Sequence, residues 1–314
     1  MEPMHAVRAH TRDGPEQLVY ETTPIPRLRP EDALVKVHAA AITPSELGWD
    51  LSWTDREGNP RTPVIPSHEI AGEVVEVAAE APRSLVGEQV FALTAFDRDG
   101  GAAEYVAVHA ADLAAKPTKL SHVEAATLPL PALTAWQALF DHATLQSGQH
   151  VLVHGAAGGV GGFAVQVAVH AGARVSATCR SGDVGYVRDL GADQVVAADR
   201  EPFEDAIRDV DVVLDNLGGE TQARTWPLIR RGGMLITLAA PPDQTLADRH
   251  GVRGVFFVVR PDRDELTEIA RLADSGKLRP LVGATYRLDQ GPAAYRHRLV
   301  PGARGKIVLE VIAD

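Results

Sequence analysis

The sequence has a single cysteine, Cys179, among its 314 residues. An intrachain disulfide needs two cysteines and a Cys-rich zinc cluster needs more, so the sequence excludes both. Positive charge is also scarce, with 31 lysines and arginines against 42 aspartates and glutamates and a net charge of -11. Because nucleic acids and anionic membranes are bound through concentrated positive charge, we expect no nucleic-acid partner and no membrane partner.

Long apolar runs are missing as well. A membrane-spanning helix needs about 20 apolar residues, and the longest candidate, around 151–169, is broken by glycines. The N-terminus, MEPMHAVRAH, has no apolar core that could serve as a secretory signal. With 45% hydrophobic and 23% charged residues, the composition is typical of a folded globular protein. We therefore expect a cytoplasmic location.

The first third of the chain has the pattern of short strands. Alternating or apolar runs occur at 33–39, 71–77, 88–94 and 103–108. Prolines separate these runs and prevent long helices; they are Pro24, Pro26, Pro30, Pro44, Pro60, Pro63 and Pro66. Ser121 and Glu124 then have the spacing of a capping box, which predicts a helix there.

From residue 150 onward, strand and helix patterns alternate. The predicted strands are 151–154, 174–178, 194–197, 211–215, 234–239 and 254–259, and the predicted helices include 162–171, 185–190 and 221–229. This alternation predicts a parallel, doubly wound sheet. Strand character without helices returns near Arg279. We therefore predict an α/β protein with a β domain of residues 1–121 and 279–314 and a doubly wound domain of residues 122–278.

A glycine-rich turn follows the first strand of the doubly wound part. Residues 151–153 lead into Gly155, Gly158 and Gly161, after which a helix begins, and the next strand starts at Arg174. Glycine permits a tight strand-to-helix turn and lets the backbone approach a pyrophosphate, toward which the helix directs its N-terminal amides. This context predicts a dinucleotide site; the alternative is a purely structural glycine turn.

The end of the second strand distinguishes the two nicotinamide cofactors. NAD-binding domains usually place Asp or Glu about 20 residues beyond the glycines. Here the strand ends in Thr178, Cys179, Arg180 and Ser181, and the first carboxylate is Asp183. Arg180 could pair with a 2′-phosphate, helped by the Thr178 or Ser181 hydroxyl, so we predict NADP(H). The alternative is that Arg180 is a solvated surface residue.

An ordered series of segments along nearly the whole chain resembles a known family. The segments are 39–46 (AAAITPSE), 65–72 (IPSHEIAG), 87–92 (GEQVFA), 130–136 (LPALTAW), 215–219 (DNLGG) and 305–308 (GKIV). Together with the glycine turn, they resemble the zinc-independent quinone oxidoreductases of the medium-chain dehydrogenase/reductase superfamily. The resemblance implies a GroES-like β domain and a Rossmann domain, with the nicotinamide in the cleft between them. It also implies a two-fold homodimer joined through the last Rossmann strand.

The resemblance also indicates which residues form the site. Zinc-dependent relatives have a cysteine ligand where Thr43 stands, and a lone His68–Glu69 pair offers too few ligands for catalytic zinc, so we predict no metal. Thr43 and Thr134 are expected to stabilise an oxyanion or to position the nicotinamide. The expected substrate-cleft residues are Trp49, Trp53, His68 and Phe96, with structural packing as the alternative for each of them. The expected cofactor-binding residues are Thr134, Gly155, Ala157, Gly158, Gly159, Val160, Gly161, Thr178, Arg180, Ser181, Asn216, Leu238, Ala239, Phe257, Val259 and Lys306.

These features predict an NADPH-dependent oxidoreductase that transfers hydride to a quinone or another conjugated carbonyl such as an enone. Two alternatives stay open. The first is an enoyl-thioester reductase, which is disfavoured because related enzymes have a proton-donating tyrosine after the Thr43 loop, whereas no tyrosine lies between Tyr20 and Tyr105. The second is a non-catalytic protein that senses NADPH. No general acid stands out in the sequence.

Overall fold

The computed structural model describes residues 3–43, 45–297 and 304–312; Pro44, one of the prolines noted above, lies outside them. The chain packs as two compact units, Met1–Leu130 with Arg260–Asp314, and Pro131–Val259. Among the described helices, none is both long and apolar enough to cross a membrane.

The described residues form fifteen strands and nine α-helices, together with short 3₁₀ turns and one π-helix. The strands are β1 (Pro3–Ala9), β2 (Leu18–Pro24), β3 (Asp32–Ile42), β4 (Glu69–Val77), β5 (Gln89–Leu93), β6 (Tyr105–His109), β7 (Ala114–Ala115), β8 (His150–His154), β9 (Arg174–Cys179), β10 (Gln194–Ala197), β11 (Val210–Asp215), β12 (Ile229–Thr237), β13 (Arg253–Phe256), β14 (Val282–Arg287) and β15 (Lys306–Glu310). The α-helices are α1 (His122–Ala126), α2 (Pro129–Trp136), α3 (Gly159–His170), α4 (Val184–Asp189), α5 (Phe203–Ala206), α6 (Gly219–Thr225), α7 (Gln244–His250), α8 (Arg263–Asp274) and α9 (Gly291–His297), and a π-helix, Gln137–His142, extends α2.

The first unit is built around a sheet in the order β14-β15-β3-β4-β5-β7, with β6 also paired to β3 and with β1 and β2 forming a separate antiparallel pair. Strand β3 is central because it pairs with three partners, and its buried apolar residues reflect that position. One apolar core lies among β3, β4, β5 and β6. A second contains Trp53 and Tyr295, and the latter side chain is completely buried. These cores fix the loop after β3 and the helix α9.

The second unit is a parallel sheet in the order β10-β9-β8-β11-β12-β13. The chain order reverses between β8 and β11, which is the arrangement of a doubly wound nucleotide-binding fold. Every residue of β8 is buried, as expected for a strand covered on both faces of a parallel sheet. The predicted doubly wound sheet is therefore confirmed.

The boundaries between the two units differ from the predicted ones. The first lies at 130/131, later than the predicted 121/122, and the second lies at 259/260, earlier than the predicted 278/279. Helix α1 packs on β3 and β4, and its predicted capping box is present: the Glu124 N–H donates to Ser121 Oγ at 3.2 Å. Helix α8 belongs to the first unit, because the backbone N–H groups of Thr118 and Lys119 donate to the Asp274 carboxylate at 3.1 and 2.9 Å. The alternating strand and helix pattern continues through α8, so the sequence prediction placed this helix in the doubly wound domain, whereas its contacts group it with the first unit.

Candidate active site

The glycine turn between β8 and α3 has the shape that the sequence predicts. Gly155 has a φ of +67°, which is in the left-handed region that favours glycine. A Cβ on Gly161 would lie 2.3 Å from the Gly155 carbonyl oxygen and 2.8 Å from Ala156 Cα. Helix α3 begins directly after Gly158. The first amides of a helix have no partner within it and lie at the positive end of its dipole, so this turn fits the pyrophosphate of a dinucleotide.

The turn lies where the order of the parallel strands reverses. Asn216, which follows β11, donates from Nδ2 to the His154 carbonyl at 2.7 Å. Asp215 is buried and its Oδ1 accepts from the amides of Leu217 and Gly218, both at 3.0 Å. Ligands of doubly wound sheets bind at this reversal, beyond the carboxyl ends of the strands. Asn216, a predicted cofactor-binding residue, therefore lies beside the glycine turn.

Arg180 directly follows β9 and is exposed, which fits both the predicted 2′-phosphate partner and the alternative of a solvated surface residue. Ser181 is engaged elsewhere: its backbone N–H donates to Asp199 Oδ1 at 2.7 Å and its hydroxyl donates to Asp199 Oδ2 at 2.8 Å. The hydrogen bond from Ser181 Oγ holds the pKa of Asp199 below its ordinary value, while burial acts in the opposite direction.

Thr178 is buried, and its hydroxyl is hydrogen-bonded to His154 Nδ1 at 2.9 Å. His154 Nε2 is bonded to Thr225 Oγ1 at the same distance. Burial lowers the pKa of His154 to about 4, although Asp215 opposes the shift. The Thr178 hydroxyl is therefore bonded inside the sheet, which argues against its predicted role at a 2′-phosphate.

The remaining predicted cofactor residues of this unit lie after its central strands and on α2. Leu238 and Ala239 follow β12, and the Leu238 N–H donates to the Asp215 carbonyl at 3.0 Å. Phe257 lies just beyond β13, with its ring centroid 4.5 Å from that of His142 in the π-helix. Strand β13 ends at Phe256, so Val259 is in the loop and not in the strand that the sequence predicted. Thr134 lies on α2 and is buried.

In the first unit, Thr43 is hydrogen-bonded to two buried charged residues. Lys306 Nζ donates to Thr43 Oγ1 at 2.9 Å, and Thr43 Oγ1 donates to Glu69 Oε1 at 3.0 Å. Lys306 and Glu69 also form an ion pair with each other, and both side chains are buried. The Leu130 N–H donates to Glu69 Oε2 at 3.1 Å. The Thr43 hydroxyl is thus held between a buried ammonium and a buried carboxylate.

A second buried carboxylate, Glu46, lies in the loop after β3. Its Oε1 accepts from Tyr295 Oη at 2.6 Å and from the Thr43 N–H at 3.3 Å, and its Oε2 accepts from the Ser67 N–H at 3.0 Å. Burial raises the pKa of Glu46 to about 7, while the Tyr295 hydrogen bond and the charge of Lys306 act in the opposite direction. Glu46 therefore ties the backbone of Thr43 to helix α9.

Of the four predicted cleft residues, Phe96 contacts two others. The Phe96 ring lies 5.0 Å from Trp49 and 5.2 Å from His68, edge-on in both cases. His68 is buried with its Nδ1 bonded to Thr94 Oγ1 at 3.0 Å, and burial lowers its pKa to about 3. Trp53 belongs to the apolar core instead, where its Nε1 donates to the Leu47 carbonyl at 2.9 Å.

Comparison with known proteins finds a matching family model in each half of the chain. The sequence matches the alcohol dehydrogenase GroES-like domain over residues 29–118 and the zinc-binding dehydrogenase family over residues 190–309. A probable zinc-binding mitochondrial oxidoreductase of Arthroderma benhamiae is 33% identical, over 92% of this chain and 91% of its own. The chain belongs to the medium-chain dehydrogenase/reductase superfamily.

Other relatives are named as reductases or oxidoreductases, one of them a quinone oxidoreductase. A 2-methylene-furan-3-one reductase of Solanum lycopersicum is 31% identical over 92% of this chain and 74% of its own. The NAD(P)H oxidoreductase RTN4IP1, mitochondrial, of Danio rerio is 31% identical over 91% of this chain and 85% of its own. The quinone oxidoreductase of Coxiella burnetii superposes with a TM-score of 0.90 at 27% identity, over 99% of this chain and 100% of that one. The predicted superfamily and its fold, a GroES-like domain with a Rossmann sheet, are confirmed.

Zinc-binding relatives raise the question of whether this superfamily member could hold zinc. Within residues 3–43, 45–297 and 304–312, no group of three His, Cys, Asp or Glu side chains is placed to bind a metal. Glu69 is already paired with the Lys306 ammonium, which would repel a cation at that point. His68 Nδ1 is bonded to Thr94. The side chains around Thr43 therefore do not fit a tetrahedral zinc site.

Sequence reasoning missed three members of this network and the role of a fourth. Glu46, Glu69 and Tyr295 were not predicted as site residues, and Lys306 was assigned only to the cofactor. The available signal was a charged residue beside apolar strand residues, as in Glu69 at the start of β4 and Lys306 at the start of β15. Such a charge needs a buried partner of opposite sign, although the sequence does not say which partner.

Proposed function

We propose that this superfamily member is an NADPH-dependent reductase of quinones or other conjugated carbonyls that works without a metal. The observation that carries the proposal is the Thr43 hydroxyl, which is held between Lys306 Nζ and Glu69 Oε1. The names of two relatives, a quinone oxidoreductase and a 2-methylene-furan-3-one reductase, support this class of acceptor.

The cofactor-binding unit supplies the residues that would hold NADPH. The turn from Gly155 to Gly161 would receive the pyrophosphate, and Arg180 would pair with the 2′-phosphate. The reduced nicotinamide, when bound, supplies the hydride. Thr134 and Asn216, together with the segments after β12 and β13, are proposed to orient the nicotinamide, which is the main contribution that a protein makes to this chemistry.

Thr43 is proposed to stabilise the product-like state of the acceptor. Hydride addition to a conjugated carbonyl leaves negative charge on its oxygen, and a fixed hydroxyl donor lowers the energy of that charge. When the Thr43 proton turns toward the acceptor, Glu69 still accepts from Lys306 and from the Leu130 N–H. The donor is therefore released at little cost, and Lys306 continues to donate to Thr43. Water is proposed to supply the final proton.

The test is a turnover assay that follows loss of NADPH absorbance with a quinone, an exocyclic enone and an enoyl thioester. We expect turnover of the quinone or the enone, faster with NADPH than with NADH, and unchanged after dialysis against a chelator. Turnover of the thioester alone would favour the enoyl-thioester alternative. Cofactor binding without any turnover would favour the sensing alternative, and activity restored specifically by zinc would contradict the metal-free mechanism.

The same proposal includes a homodimer. Strand β13 is at the edge of its sheet; Phe256 at its end is 40% exposed, and Val258 in the following loop is 54% exposed. Exposed apolar edges invite pairing with another strand, and light scattering should give twice the monomer mass. A cytoplasmic location is also proposed, although two relatives are named as mitochondrial; cell fractionation tests it.

A further inference from the structure

The chain beyond β9 and the chain beyond β10 run side by side at one edge of the parallel sheet. Cys179 and Ala197 are paired across the two strands, and the Ala198 N–H donates to the Cys179 carbonyl at 2.9 Å. Arg180 and Ser181 follow β9 directly, and Asp199 follows β10 after one residue. This pairing brings the Asp199 carboxylate onto Ser181, whose hydroxyl was predicted to help bind the 2′-phosphate.

Asp199 uses both hydrogen-bond donors of Ser181. Its two oxygens accept from the Ser181 N–H at 2.7 Å and from the Ser181 hydroxyl at 2.8 Å. A backbone amide and a hydroxyl on one residue are donors of the kind that bind phosphate oxygens. In this chain an internal carboxylate already satisfies them. An aspartate is ionised at neutral pH, and the hydrogen bond from the Ser181 hydroxyl lowers the pKa of Asp199 further.

Two arginines supply the positive charge at this edge of the sheet. Arg180 is exposed to solvent. Arg200 Nε donates to Ser181 Oγ at 3.5 Å and lies 4.0 Å from Asp199 Oδ2. A 2′-phosphate that pairs with Arg180 would therefore come close to a carboxylate of the same sign, whereas the 2′-hydroxyl of NADH brings no charge. The Coulomb cost falls on NADPH alone.

We propose that Asp199 is a specificity-determining residue that opposes the 2′-phosphate of NADPH, so that Arg180 favours NADPH while Asp199 limits the preference. This inference rests on the proposed function, since it assumes that the glycine turn binds a nicotinamide dinucleotide. It adds to that function a second residue with the opposite sign of effect. The expected wild-type protein binds both cofactors, with NADPH only moderately tighter.

The experiment measures dissociation constants for NADPH and NADH by calorimetry, with no acceptor present. Asp199→Asn keeps an oxygen that can accept from the Ser181 N–H and removes the charge. We expect it to tighten NADPH about tenfold, the effect of one close like-charge pair near a protein surface. NADH affinity should scarcely change. The gain for NADPH should shrink at high salt, because salt screens exposed charges.

Two variants serve as controls. Asp189→Asn removes one negative charge from the exposed end of α4, outside the Ser181 contact, and should leave both affinities unchanged. Arg180→Ala should weaken NADPH about ten- to a hundredfold, as expected for loss of charge-assisted hydrogen bonds, and should leave NADH nearly unchanged. If Asp199→Asn unfolds more readily in a thermal scan, Asp199→Ser provides a second neutral side chain with the same expected direction.

The outcomes separate this inference from the proposed function. If the Asp199 variants leave the NADPH constant unchanged, weaken it, or shift both cofactors equally, the carboxylate only caps Ser181 and the inference is wrong while cofactor binding stands. If Asp189→Asn tightens NADPH as much as Asp199→Asn does, the effect is one of net charge and the inference is again wrong. If neither cofactor binds to any variant or to the wild type, the proposed function fails together with the inference.

Discussion

A hydroxyl that accepts a hydrogen bond from an ammonium is polarised, and it donates more strongly than an isolated hydroxyl. Thr43 is in this position because Lys306 donates to it at 2.9 Å. We expect Thr43→Ala to lower kcat about tenfold to a hundredfold, at or below the effect of removing one oxyanion donor from other enzymes. KM for NADPH should change little, since Thr43 is proposed to act on the acceptor. Steady-state kinetics with the accepted quinone or enone measures both constants.

Thr43→Ser is the matched variant because it keeps the hydroxyl and removes only a methyl group. It should retain most of the wild-type kcat. Equal loss in the serine and alanine variants would mean that Thr43 acts through packing, and full activity of the alanine variant would remove the hydroxyl from the mechanism.

Single residues could be predicted from the sequence where their place depends on the local chain. Arg180 is an example, since it directly follows the strand after the glycine turn, although its exposure fits both the predicted phosphate partner and the alternative of a solvated surface residue. Contacts that depend on sheet order could not be predicted in this way. Asp199 is 18 residues from Ser181, and Tyr295 is 249 residues from Glu46, yet both pairs are hydrogen-bonded. Each contact follows from which strands and helices become neighbours.

The turn between β8 and α3 is the element on which cofactor binding depends. We expect Gly161→Ala to abolish measurable NADPH binding and to lower the free energy of unfolding by about 1–3 kcal/mol. The physical reason is that its Cβ would lie 2.3 Å from the Gly155 carbonyl oxygen, which is backbone and cannot rotate away. Calorimetric titration and urea unfolding measure the two effects.

Gly185 provides the matched control for that substitution. It lies within helix α4, and a Cβ there would meet no atom within 4 Å. Gly185→Ala should therefore raise stability by about 0.4–1 kcal/mol, since alanine loses less entropy in a helix. NADPH binding should be unaffected. Loss of binding in both variants, or in neither, would contradict the role assigned to the turn.

Elements with strong local signals agree with their predictions, and weakly marked ends differ. The capped helix α1 and the buried strand β8 begin within a few residues of the predicted positions. Strand β13 is shorter than predicted, because the apolar run continues past Phe256 into a loop that packs on His142. An apolar run does not by itself mark where a strand ends, so the last residue of β13 could not be predicted from the local sequence.

At the scale of the whole molecule, buried ionisable groups give the two units different responses to acid. Burial lowers the pKa of His68 from 6.5 to about 3 and that of His154 from 6.5 to about 4. Below pH 6.5 the unfolded chain therefore binds protons that the folded chain does not, and each histidine lowers the free energy of unfolding by up to about 1.4 kcal/mol per pH unit.

Glu46 has the opposite effect, because burial raises its pKa from 4.5 to about 7. Between pH 7 and 4.5 the folded chain holds a proton that the unfolded chain releases, so acidification stabilises the fold by up to the same slope. Burial also raises the pKa of Glu69, which acts in the same direction. Paired carboxylates such as Asp32, whose pKa is lowered from 3.8, lose their contribution only below that value. From pH 6.5 to 4.5, the proton uptake of Glu46 and Glu69 therefore offsets the loss of stability caused by His68 in the first unit. Among these groups, none in the second unit offsets the loss caused by His154.

We therefore expect acid to weaken the second unit first. In urea unfolding at pH 7, 6, 5 and 4.5, His154→Gln should flatten the decline of stability below pH 6.5, because its amide does not take up a proton. Glu46→Gln should steepen the decline, because it removes the compensating proton from the folded first unit while leaving His68 in place. The two variants thus act in opposite directions on the slope with pH, whatever their effect on stability at pH 7. Parallel pH curves for the wild type and both variants would show that these buried groups do not control the response, and a flatter curve for Glu46→Gln would reverse the sign assigned to that carboxyl.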